Sequence, residues 1–309
     1  MIDSHEEEKV IKKIDVVVVT YNRLPLLKEC ITALLSQKQN LSSIHVINNH
    51  SQDGTNQYLE SLKNNRIVKV HNLTKNVGGA KGFEIGVSKA LQSPGEFVWI
   101  MDDDTIPKFS ASDNLLTAIS KLKGNFGFVC SNVKWKDGSG MNMPDPTAQW
   151  TTLSDEYLIG VTRATFVSLL VKKSVIKKVG FPIGEMKIWG DDTEYTTRIS
   201  KRFPCYLVTN SVVIHKSPIG FTNEGIINTS EDRISRIEYA YRNNIYIARK
   251  YYSKKKIIKL VLRFCFDAIS CIKVKNKKFI RFKNVIIGVI KGFFFNPTVS
   301  FPNEQSNKI

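Results

Sequence analysis

Cysteines are few in this sequence and are not paired. The five cysteines are scattered over 309 residues without a C-x-x-C pair, which argues against zinc binding or redox work by such a motif. No uninterrupted run of about 20 apolar residues is present, so a membrane-spanning helix is not expected. The acidic residues 1–9 lack the basic start and apolar core of a secretory signal. These absences predict a cytoplasmic protein with buried thiols.

Acidic residues are scarce near the end of the chain. The formal net charge is +17, and residues 251–309 hold 13 Lys and Arg but only 2 Asp and Glu. The basic character therefore belongs mainly to this segment. Nucleic-acid binding is one interpretation of such a charge, but it leaves the acidic clusters of the N-terminal region unexplained. We therefore expect no nucleic-acid partner.

Strand-like and helix-like segments alternate in the first third of the chain. Four apolar runs, at residues 14–19, 44–47, 67–70 and 97–101, are separated by three helical patterns. This order predicts an α/β fold whose central, mostly parallel sheet is flanked by helices. Ligands of such sheets bind beyond the carboxyl ends of the strands, where the polar loops of this chain lie. We divide the chain into an N-terminal extension (1–13), an α/β domain (14–250) and a C-terminal region (251–309).

The C-terminal region is predicted to form a basic, amphipathic helical appendage. Residues 257–272 and 280–295 each show a narrow polar stripe at helical spacing on an otherwise apolar segment. Apolar faces edged with Lys and Arg suit the anionic surface of a membrane. The alternative is that these helices pack on the α/β domain or on a second copy of the chain.

Three consecutive aspartates follow the fourth predicted strand. If that strand is buried, Asp102 and Asp104 point to the same side and can share a divalent cation such as Mn²⁺ or Mg²⁺. His215, at the end of another apolar run, can complete this site or contact a phosphate. The alternatives are that Asp104 caps the next helix and that His215 is an ordinary surface residue.

Two further motifs lie at predicted helix starts. Asp191 and Asp192 precede a helical pattern, and a carboxylate there can accept a proton from an attacking hydroxyl or simply cap the helix. The segment 76–82 places glycines and Lys81 between a strand and a helix, where backbone and ammonium groups can meet phosphate. It lacks the spacing of a P-loop or a dinucleotide fingerprint, so neither ATP nor NAD is implied. A structural glycine turn is the alternative.

Taken in order, these motifs resemble the family 2 inverting glycosyltransferases of the GT-A fold. The matching segments are residues 18–23, 49–55, 76–80, 102–104 and 191–194. The resemblance covers about residues 14–220 and is strongest to the galactofuranosyltransferase and rhamnosyltransferase branch. Two positions depart from the usual pattern: Asn49 stands where an aspartate is usual, and Lys81 where a glycine is common.

The resemblance implies a role for each matching residue. The donor nucleotide is expected to contact Thr20, Asn22, Arg23, Asn49, Asn76, Gly78, Gly79, Lys81, Asp102 and Asp103. The metal, Mn²⁺ or Mg²⁺, is expected on Asp102, Asp104 and His215. The base is expected to be Asp192 with Asp191 beside it, and the acceptor is expected to contact Trp189 and Glu194.

The implied activity is inverting transfer of galactofuranose from UDP-galactofuranose to a hydroxyl of a glycan or lipid-linked glycan. This reaction belongs to the synthesis of bacterial surface polysaccharides, at the inner face of the cell membrane. Transfer of rhamnose from dTDP-rhamnose, or of another hexose from UDP, is the nearest alternative. A catalytically inactive GT-A scaffold is the alternative from a different class, and a homo-oligomer is left open.

Overall fold

The computed structural model describes residues 14–218 and 228–302. The predicted N-terminal extension, residues 1–13, lies outside the described residues. The strands are β1 (Ile14–Thr20), β2 (Leu41–Asn48), β3 (Val68–Asn72), β4 (Phe97–Asp102), β5 (Thr105–Pro107), β6 (Phe128–Lys134), β7 (Asp145–Pro146), β8 (Leu158–Arg163), β9 (Leu169–Lys172) and β10 (Tyr206–His215). The α-helices are α1 (Leu24–Leu35), α2 (Thr55–Ser61), α3 (Gly79–Leu91), α4 (Ala111–Lys121), α5 (Lys173–Val179), α6 (Asp191–Ser200), α7 (Ile237–Tyr251), α8 (Lys254–Ser270) and α9 (Lys278–Phe294).

The four strands predicted first lie side by side in the order β3, β2, β1, β4, and all three pairs are parallel. Beyond β4 the sheet continues through β9, β6, β10, β8 and β7, while β5 pairs with β10. Antiparallel β9 sits between β4 and β6. The α/β prediction is thus confirmed. The four strands β1 to β4 form a continuous parallel part of the sheet, and β6 and β10 also pair in parallel in its second half.

Both faces of β1 are buried, as the continuous apolar run predicts for a central parallel strand. Val16 and Val18 face α1, α2 and α4, whereas Val17 and Val19 face α3, α5 and α6. The sheet is therefore covered by helices on both sides. This burial fixes the carboxyl end of β1 next to that of β4, where the predicted site residues begin.

The C-terminal region forms the two predicted helices, α8 and α9. They pack on α7 around a small core that includes Tyr241, Phe264 and Val285. After α9 the chain returns to the α/β domain, where Phe181 donates its backbone N–H to the Ser300 carbonyl at 2.9 Å. None of the helices formed by residues 14–218 and 228–302 is both long and apolar enough to cross a membrane.

The close approach of α3 to the sheet depends on Gly86. A methyl group there would clash with Val17 and lie 3.1 Å from Ile47. We therefore expect Gly86→Ala to destabilise the fold by about 1–2 kcal/mol, because overpacking outweighs the helix propensity that alanine adds. Gly79→Ala, in the same helix but facing open space, is the control. Equal denaturant midpoints for the two variants would contradict the prediction.

Candidate functional site

A cavity of about 560 Å³ opens at the carboxyl ends of β1 and β4. Eight residues predicted from the sequence line it: Arg23, Gly79, Asp102, Asp104, Trp189, Asp191, Asp192 and His215. The structure thus brings together the aspartates after β4, those at the start of α6, and the histidine that ends β10.

Three potential metal ligands meet at one end of this cavity. One ligand atom from each of Asp102, Asp104 and His215 lies within 4.8 Å of the others. His215 Nε2 lies 3.1 Å from Asp104 Oδ1, but the contact lacks hydrogen-bond alignment. In the described part of the chain this buried oxygen therefore has no aligned donor. A buried carboxylate oxygen without a hydrogen-bond donor, beside a second carboxylate and an imidazole, is a suitable ligand for a divalent cation.

The short strand β5 brings His215 to the aspartates. Thr105 pairs with His215 in the antiparallel β5–β10 ladder, and Lys216 N donates to the Asp104 carbonyl at 2.8 Å. On the other side of the ring, Asn142 Oδ1 lies 2.8 Å from His215 Nδ1. A proton on Nδ1 satisfies that oxygen and leaves Nε2 free to act as a ligand.

Arg23 offsets part of the negative charge at the aspartates. Its Nη1 lies 2.5 Å from Asp104 Oδ2 and 3.4 Å from Asp103 Oδ1. Burial raises the pKa of Asp103 to about 7, against the lowering effect of Arg23. Burial and the neighbouring charge of Asp104 raise the pKa of Asp102 to about 6. For Asp104 itself, contact with His215 and Arg23 outweighs burial and lowers the pKa.

A second pair of carboxylates lies at the start of α6. Gly190 precedes it in a left-handed conformation (φ 95°), and Thr193 N donates to Asp192 Oδ1 at 2.6 Å. Burial, followed by the charge of Asp192, raises the pKa of Asp191 to about 8. Burial also raises the pKa of Asp192. The pair therefore retains a proton near neutral pH, and we assign it to Asp191.

Other predicted donor residues do not line this cavity: Thr20, Asn22, Asn49, Asn76, Gly78, Lys81 and Asp103. Several of them connect the loops that surround it. Asn22 Oδ1 accepts from Gln52 N at 2.7 Å, and Asn49 Oδ1 accepts from Val77 N at 2.9 Å. These loops lie at the edge of the sheet that carries the site. Because the residues do not line the cavity itself, their contacts with the nucleotide stay predictions.

Lys81 is held away from the cavity by its own helix. Its Nζ lies 2.7 Å from Glu84 Oε2, and the other oxygen of Glu84 accepts from Ser300 Oγ at 3.0 Å. A glycine within the predicted phosphate-binding segment, residues 76–82, has a structural role as well. Gly78 has φ 90°, and a Cβ there would lie 2.7 Å from the Lys187 carbonyl oxygen.

Glu194 requires a correction. We expected it to contact the acceptor, but its side chain is fully buried and does not line the cavity. It pairs with Arg198 one turn later at 2.8 Å, as the i, i+4 spacing indicates, and accepts from the Tyr251 hydroxyl at 2.5 Å. A carboxylate with these partners supports α6 and cannot reach a ligand in the cavity.

Some cavity residues were missed by sequence reasoning. The long loop before β8 contributes Met141 and Asn142, and the segment before α7 contributes Arg233 and Arg236. The two arginines belong to a basic and aromatic stretch visible in the sequence, in which no single residue stood out. Asn142 carries no local signal, because its partner His215 is distant in sequence.

The comparison with known families agrees with the site. Residues 15–180 match the family described as Glycosyl transferase family 2. This match covers more than half of the chain, and the chain belongs to that family. The expected family is thereby confirmed.

Two curated relatives show how far the similarity extends. A poly-beta-1,6-N-acetyl-D-glucosamine synthase of Staphylococcus epidermidis is 23% identical over 181 residues, which are 57% of this chain and 43% of that protein. The galactofuranosyltransferase GlfT1 of Mycolicibacterium smegmatis is 32% identical over 92 residues, 29% of this chain and 30% of its own length. The chain thus spans less than half the length of these relatives.

Solved structures of glycosyltransferases share the fold at low identity. GalNAc-T7, solved with UDP, GalNAc and Mn²⁺, has a TM-score of 0.65 and 16% identity over 81% of this chain and 50% of its own. S. aureus TarS 1–349 in complex with UDP-GlcNAc has a TM-score of 0.56 and 16% identity over 91% of this chain and 81% of its own. At such identities the likeness shows the fold alone, and that fold is GT-A.

The raised pKa of Asp191 predicts a pH-dependent stability. In the native protein Asp191 keeps its proton up to about pH 8, whereas in the unfolded chain an aspartate releases it near pH 4. Unfolding between these values releases a proton, so native stability falls as pH rises. We expect Asp191→Asn to be more stable than wild type at pH 8 by roughly 1–3 kcal/mol, with little difference at pH 4.

Chemical denaturation in EDTA across this pH range measures the effect. Asp155→Asn, at an exposed position outside the cavity, is the control. A stability difference between Asp191→Asn and wild type that is constant with pH would contradict the assignment of the proton to Asp191.

Proposed function

We propose that this protein is a metal-dependent, inverting glycosyltransferase that transfers a sugar from a nucleoside diphosphate to an acceptor hydroxyl. The observation that carries the proposal is that one cavity contains both a potential metal-binding cluster, Asp102, Asp104 and His215, and a separate carboxylate pair, Asp191 and Asp192. A single displacement needs these two functions on opposite sides of the anomeric carbon.

Asp192 is the proposed base. One of its oxygens accepts from the Thr193 N–H, which fixes the carboxylate, and the acceptor hydroxyl would meet the other. The proton retained on Asp191 limits repulsion within the pair, so that Asp192 can be the ionised member. In this arrangement Asp192 takes the hydroxyl proton as the oxygen attacks.

Asp102, Asp104 and His215 would hold the metal. Two carboxylates suit Mg²⁺ and Mn²⁺, while the imidazole favours a transition metal, so we propose Mn²⁺. When bound, the cation supplies charge stabilisation for the departing diphosphate. Arg23 holds Asp104 by one oxygen and leaves the other facing the cluster.

The donor is proposed to be UDP-galactofuranose. The sequence match to a galactofuranosyltransferase supports the sugar, and neighbouring structures that contain UDP or UDP-GlcNAc support the nucleotide. The match to a polysaccharide synthase supports a glycan acceptor. Rhamnose from dTDP-rhamnose and other UDP-hexoses are the alternatives that a donor screen separates.

Two substitutions separate the proposed metal and base functions. We expect Asp104→Ala to abolish both Mn²⁺ binding and sugar transfer, because it removes a ligand. We expect Asp192→Asn to keep Mn²⁺ binding but to lower kcat roughly 10²- to 10⁴-fold, because it removes the base. Calorimetric Mn²⁺ titration and a transfer assay over a panel of nucleotide sugars measure the two effects.

Asp137→Ala, at an exposed turn, is the control for both assays. Full activity in Asp104→Ala would remove the metal site from the mechanism. Full activity in Asp192→Asn would assign the base elsewhere. A wild-type chain inactive with every donor would favour a scaffold.

We also propose that the C-terminal helices dock on the inner face of the cell membrane, where a lipid-linked acceptor would lie. Helix α8 buries one apolar face against α7 and α9, including Phe264 and Ala268. A second apolar stripe remains exposed, formed by Ile258, Leu262, Phe266 and Ile269. Lysines and arginines flank this stripe, and each contributes about 1 kcal/mol of attraction at an anionic surface.

The membrane proposal predicts a local effect. We expect Phe266→Glu to weaken binding to anionic vesicles about tenfold or more, because a buried Phe contributes about 1.5–3 kcal/mol. Phe109→Glu is the matched control, since Phe109 and Phe266 are both 71% exposed but Phe109 lies beside the sheet. Vesicle co-sedimentation measures binding, and equal losses in both variants would contradict the proposed face.

A further inference from the structure

The loop that leads into α6 contacts a buried side chain from α7. Asn243, in α7, is completely buried, and its Nδ2 lies within hydrogen-bond distance of three carbonyl oxygens. These belong to Trp189 at 2.7 Å, Met186 at 2.9 Å and Ile188 at 3.2 Å. The side chain of Asn243 thus contacts three backbone carbonyl groups of the loop that precedes Asp191.

This loop has an unfavourable backbone conformation. Lys187 and Trp189 are non-glycine residues with φ values of 67° and 61°, a strained conformation that persists only where the surrounding structure holds it. On the opposite side, Ala80 N donates to the Lys187 carbonyl at 3.1 Å. The loop is therefore held between the start of α3 and Asn243.

The neighbouring Arg242 completes the support. Its Nη2 donates to the Glu185 carbonyl at 2.9 Å and to the Met186 carbonyl at 3.1 Å. The same guanidinium donates to Asn243 Oδ1 through Nε and Nη2, at 3.0 and 2.9 Å. It also stacks on the Phe295 ring at 3.8 Å. These contacts orient the carboxamide so that its NH₂ group faces the loop.

The position of α7 depends in turn on α9. Gly288 and Gly292 let the two helices approach closely, since a Cβ at Gly292 would lie 2.8 Å from the Arg242 carbonyl oxygen. A Cβ at Gly288 would lie 2.6 Å from the Glu238 carbonyl oxygen. The helix that carries Asn243 is thus closely packed on α9.

We propose that Asn243 is a positioning residue for the transfer reaction, through which α7 sets the loop that carries Trp189 and leads into the carboxylate pair Asp191 and Asp192. This inference rests on the proposed function. It gives α7, and α9 that packs on it, a place in the active-site framework, in addition to the membrane contact proposed above for the C-terminal helices. Metal binding does not depend on it, because Asp102, Asp104 and His215 lie on β4, the turn after it and β10.

The test compares Asn243→Asp with Asn244→Asp in the full chain. Asn243→Asp removes the NH₂ donor, while the exposed Asn244 bonds only within its own helix, to the Ala240 carbonyl. We expect Asn243→Asp to lower kcat roughly 10- to 100-fold, as a small misplacement of reacting groups does. The KM for the donor and the affinity for Mn²⁺ should stay at wild-type values, and Asn244→Asp should match wild type throughout.

Hydrogen exchange gives a readout that does not need turnover. We expect backbone amides of residues 184–192 to exchange faster in Asn243→Asp than in wild type, with unchanged protection in β1 and β4. If Asn243→Asp does not fold, Arg242→Lys carries the test, because it keeps the charge but loses the fork that holds the loop and the carboxamide.

Unchanged exchange in the loop, or an unchanged kcat, would overturn the inference. The inference would also be overturned if Asn243→Asp lost hydrogen-exchange protection throughout the protein and lost Mn²⁺ binding as well. Asn243 would then be an ordinary structural residue. A wild-type protein without activity on any donor would sink the proposed function alone, and the exchange comparison would still decide whether Asn243 holds the loop.

Discussion

Five aspartates are held at one edge of the sheet, and their mutual repulsion is the constraint around which the site is arranged. Arg23 pairs with one oxygen of Asp104 and His215 Nε2 lies 3.1 Å from the other, while burial raises the pKa values of Asp102, Asp103 and Asp191. These protein groups offset only part of the charge. A divalent cation is the natural complement of what remains.

This arrangement of buried carboxylates lowers the stability of the folded protein. Carboxylates of raised pKa are destabilising when ionised, and the loop before α6 adds two non-glycine residues with positive φ. The large buried sheet on one side and the α7–α9 helices on the other hold these features in place. Stability elsewhere in the molecule thus maintains a strained, charged cavity, as is common at functional sites.

The first half of the fold was predictable because its strands are continuous apolar runs and its helices are periodic. The i, i+4 spacing of Glu194 and Arg198 likewise fits the ion pair that they form. By contrast, β5 is only three residues long, too short for a periodic pattern, and it is the strand that brings His215 beside Asp104. The ligand cluster was therefore expected from family resemblance, whereas its geometry required the structure.

Contacts between distant segments account for the remaining differences. The family resemblance implied that Glu194 contacts the acceptor, but its carboxylate is occupied by Arg198 and Tyr251. Asn243 belongs to a stretch that looks like an ordinary amphipathic helix. Its proposed positioning role rests on contacts with three carbonyl groups that lie more than 50 residues earlier in the chain. No local pattern reports such contacts.

The central claim is that a base and a metal-held leaving group act from opposite sides of one anomeric carbon. The most direct test is the anomeric configuration of the transferred sugar, read by NMR from the coupling at that carbon in the isolated product. The account predicts the configuration opposite to that of the donor. A product that retains the donor configuration would contradict single displacement with Asp192 as the base.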